Sequence, residues 1–466
     1  MRAAVPESTV ERMTNSSLAS RVAAGRAARK LITRSSTGDW TPPPDRRDPM
    51  AILQKQAATR LPGLVPIRYG RMAASEFAFL RGAPAIMAAD LSHSPNTGLT
   101  VQLCGDAHLS NFGLYASPER RLVFDLNDFD ETLPGPFEWD VKRLTASIAV
   151  AARQNGFTDE CGSHAATHAA RAYRATMARL AGMSELDVWY RSVDATMMLQ
   201  LAKRPKGRRE VEASLSEAER HTNLQALRKL TGPGPDGTPR IRYQPPLLVP
   251  FAELGFDRDA EEETIRRVFT DYRSTLQEDR RTLLERFRYV ESALKVVGVG
   301  SVGTRCSMAL LLGETTATPL FLQVKEAEES VLAPYLKAGR DDHQGHRVVS
   351  GQRLMQATSD IFLGWASGPA GRYFYVRQLR DMKGSANVPE MDKTMLRAYG
   401  ELCGQTLARA HARSGDRVAI SAYLGSGDSF DRAMGRWAVA YADQTRVDHK
   451  ALMTAIKTGV VLSVDA

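Results

Sequence analysis

The stretches CGDAHLSN (residues 104–111) and LVFDLNDFDE (residues 122–131) gather acidic and amide side chains within a short part of the 466-residue chain. The second stretch begins with an apolar run that has the length of a β-strand. Residues 99–104 form another such run, so we predict that the two runs pair as a hairpin. The polar side chains of both stretches then lie at the ends of strands or in the connecting loops.

These residue types suit phosphoryl transfer, which needs a carboxylate beside the acceptor hydroxyl and hard oxygen ligands for Mg²⁺. Asp106 and Asn111 have the spacing D-x-x-x-x-N, and Asp128 begins a D-F-D triplet after the strand. Asp106 is the predicted base or acceptor-orienting carboxylate. Asn111 and Asp128 are the predicted Mg²⁺ ligands, with Asp125 as a further candidate. Asp and Asn also occur in turns because their side chains bond local backbone groups, but an acidic triplet after an apolar strand favours the site.

A second motif lies in KVVGVGSVGT (residues 295–304), which is followed by PLFLQVKE (residues 319–326). Its G-x-G-x-x-G pattern lets backbone N–H groups approach phosphate, and Lys325 at the end of the next strand can pair with the α- and β-phosphates. A Rossmann dinucleotide motif competes, with Glu326 near the position of a ribose-binding acid, although no βαβ alternation follows. A tight hairpin without a ligand is the third interpretation. The predicted nucleotide-binding residues are Gly298, Gly300, Ser301, Gly303 and Lys325.

The first motif resembles a known catalytic loop. GDAHLSN (residues 105–111) is similar to the G-D-x-H-x-x-N loop of aminoglycoside phosphotransferases and choline kinases, and LCGQTLARAH (residues 402–411) resembles the helix that precedes that loop. The order along this chain is inverted, so the resemblance implies a circularly permuted kinase-like fold that uses ATP and Mg²⁺. It also implies that residues 402–411 and the loop are neighbours in space. Permutation is tolerated where chain ends or loop ends lie close at the surface.

From about Asp48 onward, the sequence also resembles an uncharacterised bacterial family, the domain of unknown function 2252. The runs that carry this resemblance are LVPIRYGRM, QLCGDAHLSNFG, FDLNDFDETLPGPFEWDVKRL, KVVGVGSVGTRC, FLQVKEA and ARAHARSGD. One departure from kinases concerns the glutamate expected on the helix after the strand lysine. The helix predicted around residues 348–359 offers Gln352 and Gln356 instead, so Lys325 is expected to use another partner, with Glu326, Glu328 and Glu329 as candidates.

The predicted fold class is α+β: a two-lobed, circularly permuted, protein-kinase-like fold with a small mixed-sheet lobe and a mostly helical lobe. Helical periodicity begins at Val141, with Lys142 and Arg143 expected on the opposite face. The predicted parts are a mobile basic arm and linker (1–48), the catalytic-loop part of the helical lobe (49–230), a loop and connecting helix (231–284), the nucleotide-binding sheet lobe (285–385) and the closing helices (386–466).

More detailed patterns locate the strands and helices of the second half. Charged helix-forming sequence runs from Glu261 to Glu291, while the Gly/Pro-rich stretch 231–239 excludes regular structure. Strand-like runs are predicted at residues 294–297, 307–312, 320–324 and 373–377. Helices are predicted over 395–410 and 430–456.

Composition narrows the partners and the compartment. Lys and Arg exceed Asp and Glu by 62 to 53, a net charge of +9, which favours anionic partners in general. The charge is diffuse and lacks interleaved aromatic residues, so it does not select nucleic acid. No apolar run is long enough to span a membrane, and the four cysteines are scattered without a C-x-x-C pair. We expect a soluble, cytoplasmic protein whose substrate is a hydroxyl-bearing small molecule or protein.

Three other functions stay open from the sequence. A nucleotide-binding scaffold would bind ATP without transferring phosphate. A Rossmann-type oxidoreductase would prefer NAD and would not depend on Asp106. A metal-dependent phosphoesterase would use Asp106, His108, Asp125 and Asp128 around a metal ion, without needing the glycine motif.

Overall fold

The computed structural model describes residues 17–201, 205–234, 237–254, 258–314, 318–336, 341–379 and 382–464. Within these residues, long α-helices are combined with several β-sheets, which confirms the predicted α+β class. The prediction of a mixed sheet is wrong, because every strand pair in the described residues is antiparallel. No helix among them is both long enough and apolar enough to cross a bilayer.

The amino-terminal part of the described chain is helical. Asp48 caps the second helix by accepting hydrogen bonds from the backbone N–H groups of Met50 and Ala51. The segment predicted as a mobile arm contains the first helix, which packs on the carboxyl-terminal part, where Arg29 Nε donates to the Tyr423 carbonyl. Residues 1–16 lie outside the described residues. The helices are α1 (Leu18–Leu31), α2 (Pro49–Ala57), α3 (Val65–Ala73), α4 (Glu76–Gly82) and α5 (Pro84–Ser92).

Four short strands follow, namely β1 (Thr100–Leu103), β2 (Phe112–Ala116), β3 (Leu122–Leu126) and β4 (Leu133–Pro136). Strand β1 pairs with β4, and β2 pairs with β3. The predicted pairing of residues 99–104 with residues 122–126 is therefore wrong. Its physical reason is the tight turn between β2 and β3, in which Ser117 N–H donates to the Arg121 carbonyl and brings these consecutive strands together.

A group of helices continues the chain after β4. The helix predicted from Val141 begins three residues earlier, and its apolar residues are buried as expected. Lys142 and Arg143, which were predicted on the face opposite these apolar residues, are buried as well: the Lys142 Nζ lies 4.5 Å from the centre of the Trp437 ring. The helices are α6 (Glu138–Gln154), α7 (Asp159–Ala181), α8 (Glu185–Tyr190), α9 (Ala195–Leu201), α10 (Pro205–Arg220) and α11 (Asn223–Leu230).

The largest sheet has six strands. Their order across the sheet is β11 (Gly364–Ser367), β12 (Tyr373–Gln378), β10 (Pro319–Ala327), β9 (Cys306–Gly313), β8 (Phe287–Lys295) and β7 (Leu248–Pro250). A small hairpin, β5 with β6, forms within residues 231–241, where no regular structure was predicted. The helix predicted through Glu291 ends at Leu284, and strand β8 begins at Phe287. The elements are β5 (Thr231–Pro233), β6 (Pro239–Ile241), β7 (Leu248–Pro250), α12 (Arg258–Ser274), α13 (Glu278–Leu284), β8 (Phe287–Lys295), β9 (Cys306–Gly313), β10 (Pro319–Ala327), α14 (Gln344–Met355), β11 (Gly364–Ser367) and β12 (Tyr373–Gln378).

Both faces of this sheet are covered, which explains the almost continuous apolar sequence of its central strands. On β9, Leu311 faces a cluster that includes Tyr272 of α12, whereas Leu310 faces a cluster that includes Leu230 of α11. Because successive side chains of a strand point to opposite faces, a sheet buried on both sides needs apolar residues in succession. The predicted strands at 307–312, 320–324 and 373–377 all lie within observed strands.

The chain ends with β13 (Gly384–Ser385), α15 (Lys393–Ser414), α16 (Arg417–Leu424) and α17 (Ser429–Lys457), which confirms both predicted carboxyl-terminal helices. Strand β13 pairs with β2, so it joins the segment after the large sheet to the amino-terminal half. Helix α15 packs closely on α7: a Cβ at Gly404 would lie 2.3 Å from the Ala169 carbonyl oxygen. The small residue at this position therefore allows the two helices to touch through their backbones.

Candidate active site

Two helices, α6 and α15, support the Asp106 loop (residues 104–111). At the start of α6, Asp140 accepts hydrogen bonds from the backbone N–H groups of Cys104 (2.7 Å) and Gly105 (3.0 Å). The same carboxylate lies 3.2 Å from His411 Nε2 of α15, and His411 Nδ1 lies 2.9 Å from the Tyr173 hydroxyl. Because a carboxylate only accepts, Nε2 of His411 carries the hydrogen. Residues 402–411 and the loop are thus neighbours in space, as expected, with the Asp140 carboxylate between His411 and the loop backbone.

Asp106 is oriented by a buried arginine. Arg143 Nε donates to Asp106 Oδ1 at 2.8 Å, and Arg143 Nη2 forms an ion pair with the same oxygen at 2.6 Å. The other oxygen, Oδ2, lies 3.5 Å from His108 Nε2. Burial lowers the pKa of His108 to about 4, so the imidazole is neutral at neutral pH. Oδ2 is therefore the oxygen of Asp106 that Arg143 does not bond.

Asn111 ties the Asp106 loop to the segment after β3. Its Nδ2 donates to the carbonyls of Asp106 and Asp128, each at 3.0 Å, and its Oδ1 accepts from the Asp128 N–H at 2.7 Å. A buried amide with three such bonds fixes both backbones. The structure therefore brings together the three residues that the sequence placed at the centre of the first motif.

Lys325, at the end of β10, contacts the DFD segment (residues 128–130). Its Nζ lies 3.4 Å from Asp128 Oδ2 and also donates to Asp130 Oδ2, while the Tyr375 hydroxyl donates to Asp130 Oδ1 at 2.8 Å. Burial opposes the charge of Lys325, but Asp128 and Asp130 outweigh it and raise the pKa of the ammonium. The first and second motifs, which lie about 200 positions apart in the sequence, are thus in contact in the structure and form one site.

The two carboxylates of the DFD segment respond differently to this cluster. Burial opposes ionisation of Asp128, yet the nearby Lys325 and Arg377 lower its pKa. Burial and the Asp128 charge together raise the pKa of Asp130, although Lys325 and Tyr375 act in the other direction. At this site, Asp128 is therefore the carboxylate that ionises more readily, as a metal ligand must.

The glycine loop (residues 298–303) joins β8 to β9. Gly298 and Gly303 have φ values of 64° and 91°, which favour glycine. The Ser301 hydroxyl lies 3.5 Å from Asp130 Oδ2, so the loop reaches the DFD segment. Because the loop connects two antiparallel strands, it is not the strand–loop–helix unit that a Rossmann motif requires.

Asp125 lies apart from this site. Its side chain is buried in an ion pair with Arg409 of α15 and accepts from the Ala357 N–H at 2.8 Å. It does not line the cavity that Asp106 and Asp128 share. Among the residues that the structure describes, no group of three or more His, Cys, Asp or Glu side chains could hold a metal ion, so the donor set expected for the phosphoesterase is absent there.

Several contributing residues were missed or misassigned from the sequence. The sequence patterns give Asp130 no role beyond its place in the triplet, and they place Arg143 on the face opposite the apolar residues of its helix. The suggested partnership of Lys325 with Glu326 is wrong, because Glu326 pairs with Arg305 and Arg372. The sequence does contain a signal for Asp130: the DFD triplet ends in a second aspartate, two positions after Asp128.

A cavity of about 640 Å³ connects these groups. It is bordered by the Asp106 loop, by the DFD segment, by the glycine loop and by the amino-terminal helices. Lys325 itself lies behind the two carboxylates, with its side chain 2% exposed. The residues from the predicted site that line the cavity are Asp106, Asn111, Asp128, Gly298, Gly300 and Ser301.

All the predicted site residues fall within the match to one protein family. The family model described as "Uncharacterized protein conserved in bacteria (DUF2252)" matches residues 60–455. The chain belongs to this family, which confirms the resemblance drawn from its sequence runs. No curated protein matches the chain, and no solved structure matches it.

Proposed function

We propose that this chain is an ATP-dependent phosphotransferase of the protein-kinase-like type, which transfers a phosphoryl group to a hydroxyl of a small molecule or a protein. The observation that carries the proposal is the contact of Lys325 with the DFD segment next to the glycine loop. In kinases, a lysine on a strand after a glycine loop meets the phosphates, and the Asp of a D-F-G triplet holds Mg²⁺ together with an Asn of the catalytic loop.

The order of elements in the large sheet supports this assignment. The glycine loop joins β8 to β9, Lys325 lies on β10, α14 follows, and β11 and β12 complete the sheet. Protein kinases likewise place the lysine on the third strand and a helix after it. Helix α15 packs against the Asp106 loop, where the Tyr399 hydroxyl donates to the Leu109 carbonyl at 3.1 Å. This contact supports the permuted order, in which the supporting helix comes from the carboxyl-terminal end.

Asp106 has the geometry for the acceptor side of the reaction. Arg143 holds Oδ1 of Asp106, which leaves Oδ2 to accept the proton of the acceptor hydroxyl. As this proton leaves, the hydroxyl oxygen of the acceptor would bond to the γ-phosphorus of ATP. The bond from this phosphorus to the β–γ bridging oxygen breaks, and ADP leaves with that oxygen. Atoms and charge balance without any further reactant.

Asp128 and Asn111 are the residues that would hold Mg²⁺. Asp128 offers a carboxylate at the cavity, and Asn111 Oδ1 keeps a second lone pair beyond its bond to the Asp128 N–H. Two protein oxygens suit Mg²⁺, which takes its remaining ligands from water and phosphate. When bound, Mg²⁺ would neutralise phosphate charge; the chain's own residues fix where it binds.

One feature differs from a standard kinase. In α14, Gln352 donates to Gln356 and Gln356 donates to the Leu126 carbonyl, so neither glutamine reaches Lys325. Arg347 of the same helix donates instead to the carbonyls of Asp130 and Thr132. Helix α14 therefore positions the DFD segment, and Lys325 takes its partners from that segment.

The test is ATP consumption by the purified wild type and by Asp106→Asn, with Mg²⁺, alone and with a pool of hydroxyl-bearing metabolites. We expect wild-type turnover that falls by roughly 100-fold in Asp106→Asn, while ATP affinity changes only a few-fold, because a general base acts on the transition state. Turnover that survives the substitution unchanged would overturn the mechanism. ATP binding without turnover in any mixture would favour the scaffold function.

A further inference from the structure

A basic wall lines the same cavity and is not used by the chemistry above. The part of the lining contributed by residues 47–85 contains five basic side chains and no acidic one. Three of them, Arg60, Arg68 and Arg81, form no ion pair with any described residue. The carboxylates of the cavity come from other segments, namely 106–131 and 326–329.

Arg68 of α3 is the most informative member of this wall. Its side chain is fully buried, and its Nη2 donates to Gln56 Oε1 at 3.1 Å and to the Gly82 carbonyl at 2.8 Å. Its Nε and Nη1 have no hydrogen-bond partner among the described residues, and the same is true of the Nε atoms of Arg60 and Arg81. A buried guanidinium with unused N–H groups is costly unless an anion completes it.

The chemistry of the three side chains specifies the ligand. A guanidinium is planar and presents paired N–H groups that match the oxygens of a phosphate or a carboxylate. Burial and the neighbouring Arg60 charge lower the pKa of Arg68 to about 9, so it is still charged at neutral pH. An anion that binds here would meet several donors at once and would offset the repulsion between the arginines.

The basic wall lies close to the reacting carboxylate. Arg143, which holds Asp106, also donates through Nη2 to the Leu80 carbonyl at 2.6 Å. At the next residue, the Arg81 carbonyl oxygen lies 3.3 Å from the position that a Cβ on Gly300 would occupy. The end of α4 therefore lies between Asp106 and the glycine loop. A ligand on the arginines would be next to the acceptor side of the site.

We propose that Arg60, Arg68 and Arg81 bind a phosphate or carboxylate group of the acceptor, so that the substrate is an anionic molecule that also carries a hydroxyl. This assignment rests on the proposed phosphotransferase function. It excludes neutral alcohols and cationic amino sugars as preferred acceptors, because neither would complete the buried guanidinium of Arg68.

The experiment is titration calorimetry of the full chain with inorganic phosphate, for the wild type, Arg68→Gln, Arg81→Gln and a charge-matched control, Arg446→Gln, whose side chain bonds Glu76 instead of lining the cavity. We expect phosphate to bind the wild type and the control equally. Binding should weaken at least about tenfold in both cavity variants, because each removes a charged donor. If Arg68→Gln does not fold, the phosphate affinity of Arg81→Gln decides the outcome, because Arg81 is only half-buried.

A second part of the experiment tests whether the bound anion belongs to the acceptor or to the nucleotide, because the phosphates of ATP could also bind the arginines. ATP–Mg²⁺ affinity should stay within a few-fold in Arg81→Gln, and saturating ADP–Mg²⁺ should not displace phosphate from the wild type. Phosphate binding that is absent in the wild type, or unchanged in Arg81→Gln, would overturn the anion site. Displacement by ADP would overturn its assignment to the acceptor. Intact phosphate binding with no ATP turnover would overturn the phosphotransferase function and with it the acceptor role, while the anion site itself would stand.

Discussion

The Oδ1 atom of Asn111 accepts a hydrogen bond from the backbone N–H of Asp128, with 2.7 Å between the two atoms. The same amide donates to the Asp106 carbonyl, so one side chain sets the spacing between the Asp106 loop and the DFD segment. The backbone positions of Asp106 and Asp128 relative to each other are therefore set without a bound ligand. Such preorganisation is what a site that stabilises developing charge needs.

We expect Asp128→Asn to lose the Mg²⁺-dependent part of ATP affinity, roughly tenfold or more, because a neutral amide is a poorer Mg²⁺ ligand than a carboxylate. Without Mg²⁺ the variant should bind ATP as well as the wild type does or better, because a negative charge near the phosphates is gone. Calorimetry with and without Mg²⁺ measures both. Asp443→Asn, in an exposed ion pair with Arg153, is the control. Equal Mg²⁺ dependence in Asp128→Asn and wild type would remove Asp128 from the metal site.

Substitution of Lys325 tests the cluster at the end of β10. Lys325→Met leaves Asp128 and Asp130 without their cation. Because the lysine is buried but the two carboxylates are 41% and 27% exposed, we expect a loss of about 1–3 kcal/mol of unfolding free energy. Adding Asp130→Asn should recover part of this stability but no ATP turnover. Chemical denaturation and ATP consumption on both variants provide the comparison. Turnover restored by the second substitution would show that Lys325 acts only on stability.

The Asp125–Arg409 ion pair predicts a purely structural phenotype. Asp125→Ala should lower the free energy of unfolding by about 3–5 kcal/mol, because it leaves a buried guanidinium without its carboxylate. The double variant Asp125→Ala/Arg409→Leu should be more stable than the single one. In folded protein, ATP–Mg²⁺ affinity should be unchanged. A loss of Mg²⁺ dependence in the folded double variant would instead place Asp125 at the metal.

Glu131 predicts a pH dependence of stability. Burial raises its pKa from 4.5 to about 7, although the Val331 N–H bond acts against this. The folded state then holds a proton that the unfolded state releases, so the contribution of Glu131 to stability is full below about pH 4.5 and is lost as the pH rises to about 7, by about 3 kcal/mol. Glu131→Gln should remove this slope. Unfolding measured from pH 4.5 to 7.5 tests it, with the exposed Glu278→Gln as control. A slope that is the same in Glu131→Gln and the wild type would contradict the prediction.

Local sequence patterns predicted those parts of the fold in which neighbours along the chain decide the structure. The apolar runs of β9 and β10 could be recognised because both faces of their sheet are buried. The spacing between Asp106 and Asn111 indicated that the two residues act together, and Asn111 Nδ2 does donate to the Asp106 carbonyl within the loop.

Long-range contacts account for what the sequence did not reveal. Arg143 follows helical periodicity on a polar face, and its burial depends on Asp106 and on the end of α4. The pairing of β1 with β4 depends on how the whole segment between them folds back, which no turn signal near β1 indicates. Lys325 found its carboxylates in a segment about 200 positions away rather than in the glutamates beside it. Periodicity carries no information about such partners.

The support of the Asp106 loop by α15 has a consequence for synthesis of the protein. The Tyr399 hydroxyl donates to the Leu109 carbonyl across 290 positions, so the loop leaves the ribosome long before the helix that holds it. At about 5–20 residues per second, this delay is roughly 15–60 s. Throughout that interval the nascent amino-terminal half exposes the apolar surface that α15 will cover. We expect its yield in the cell to depend on chaperones that bind this half during translation.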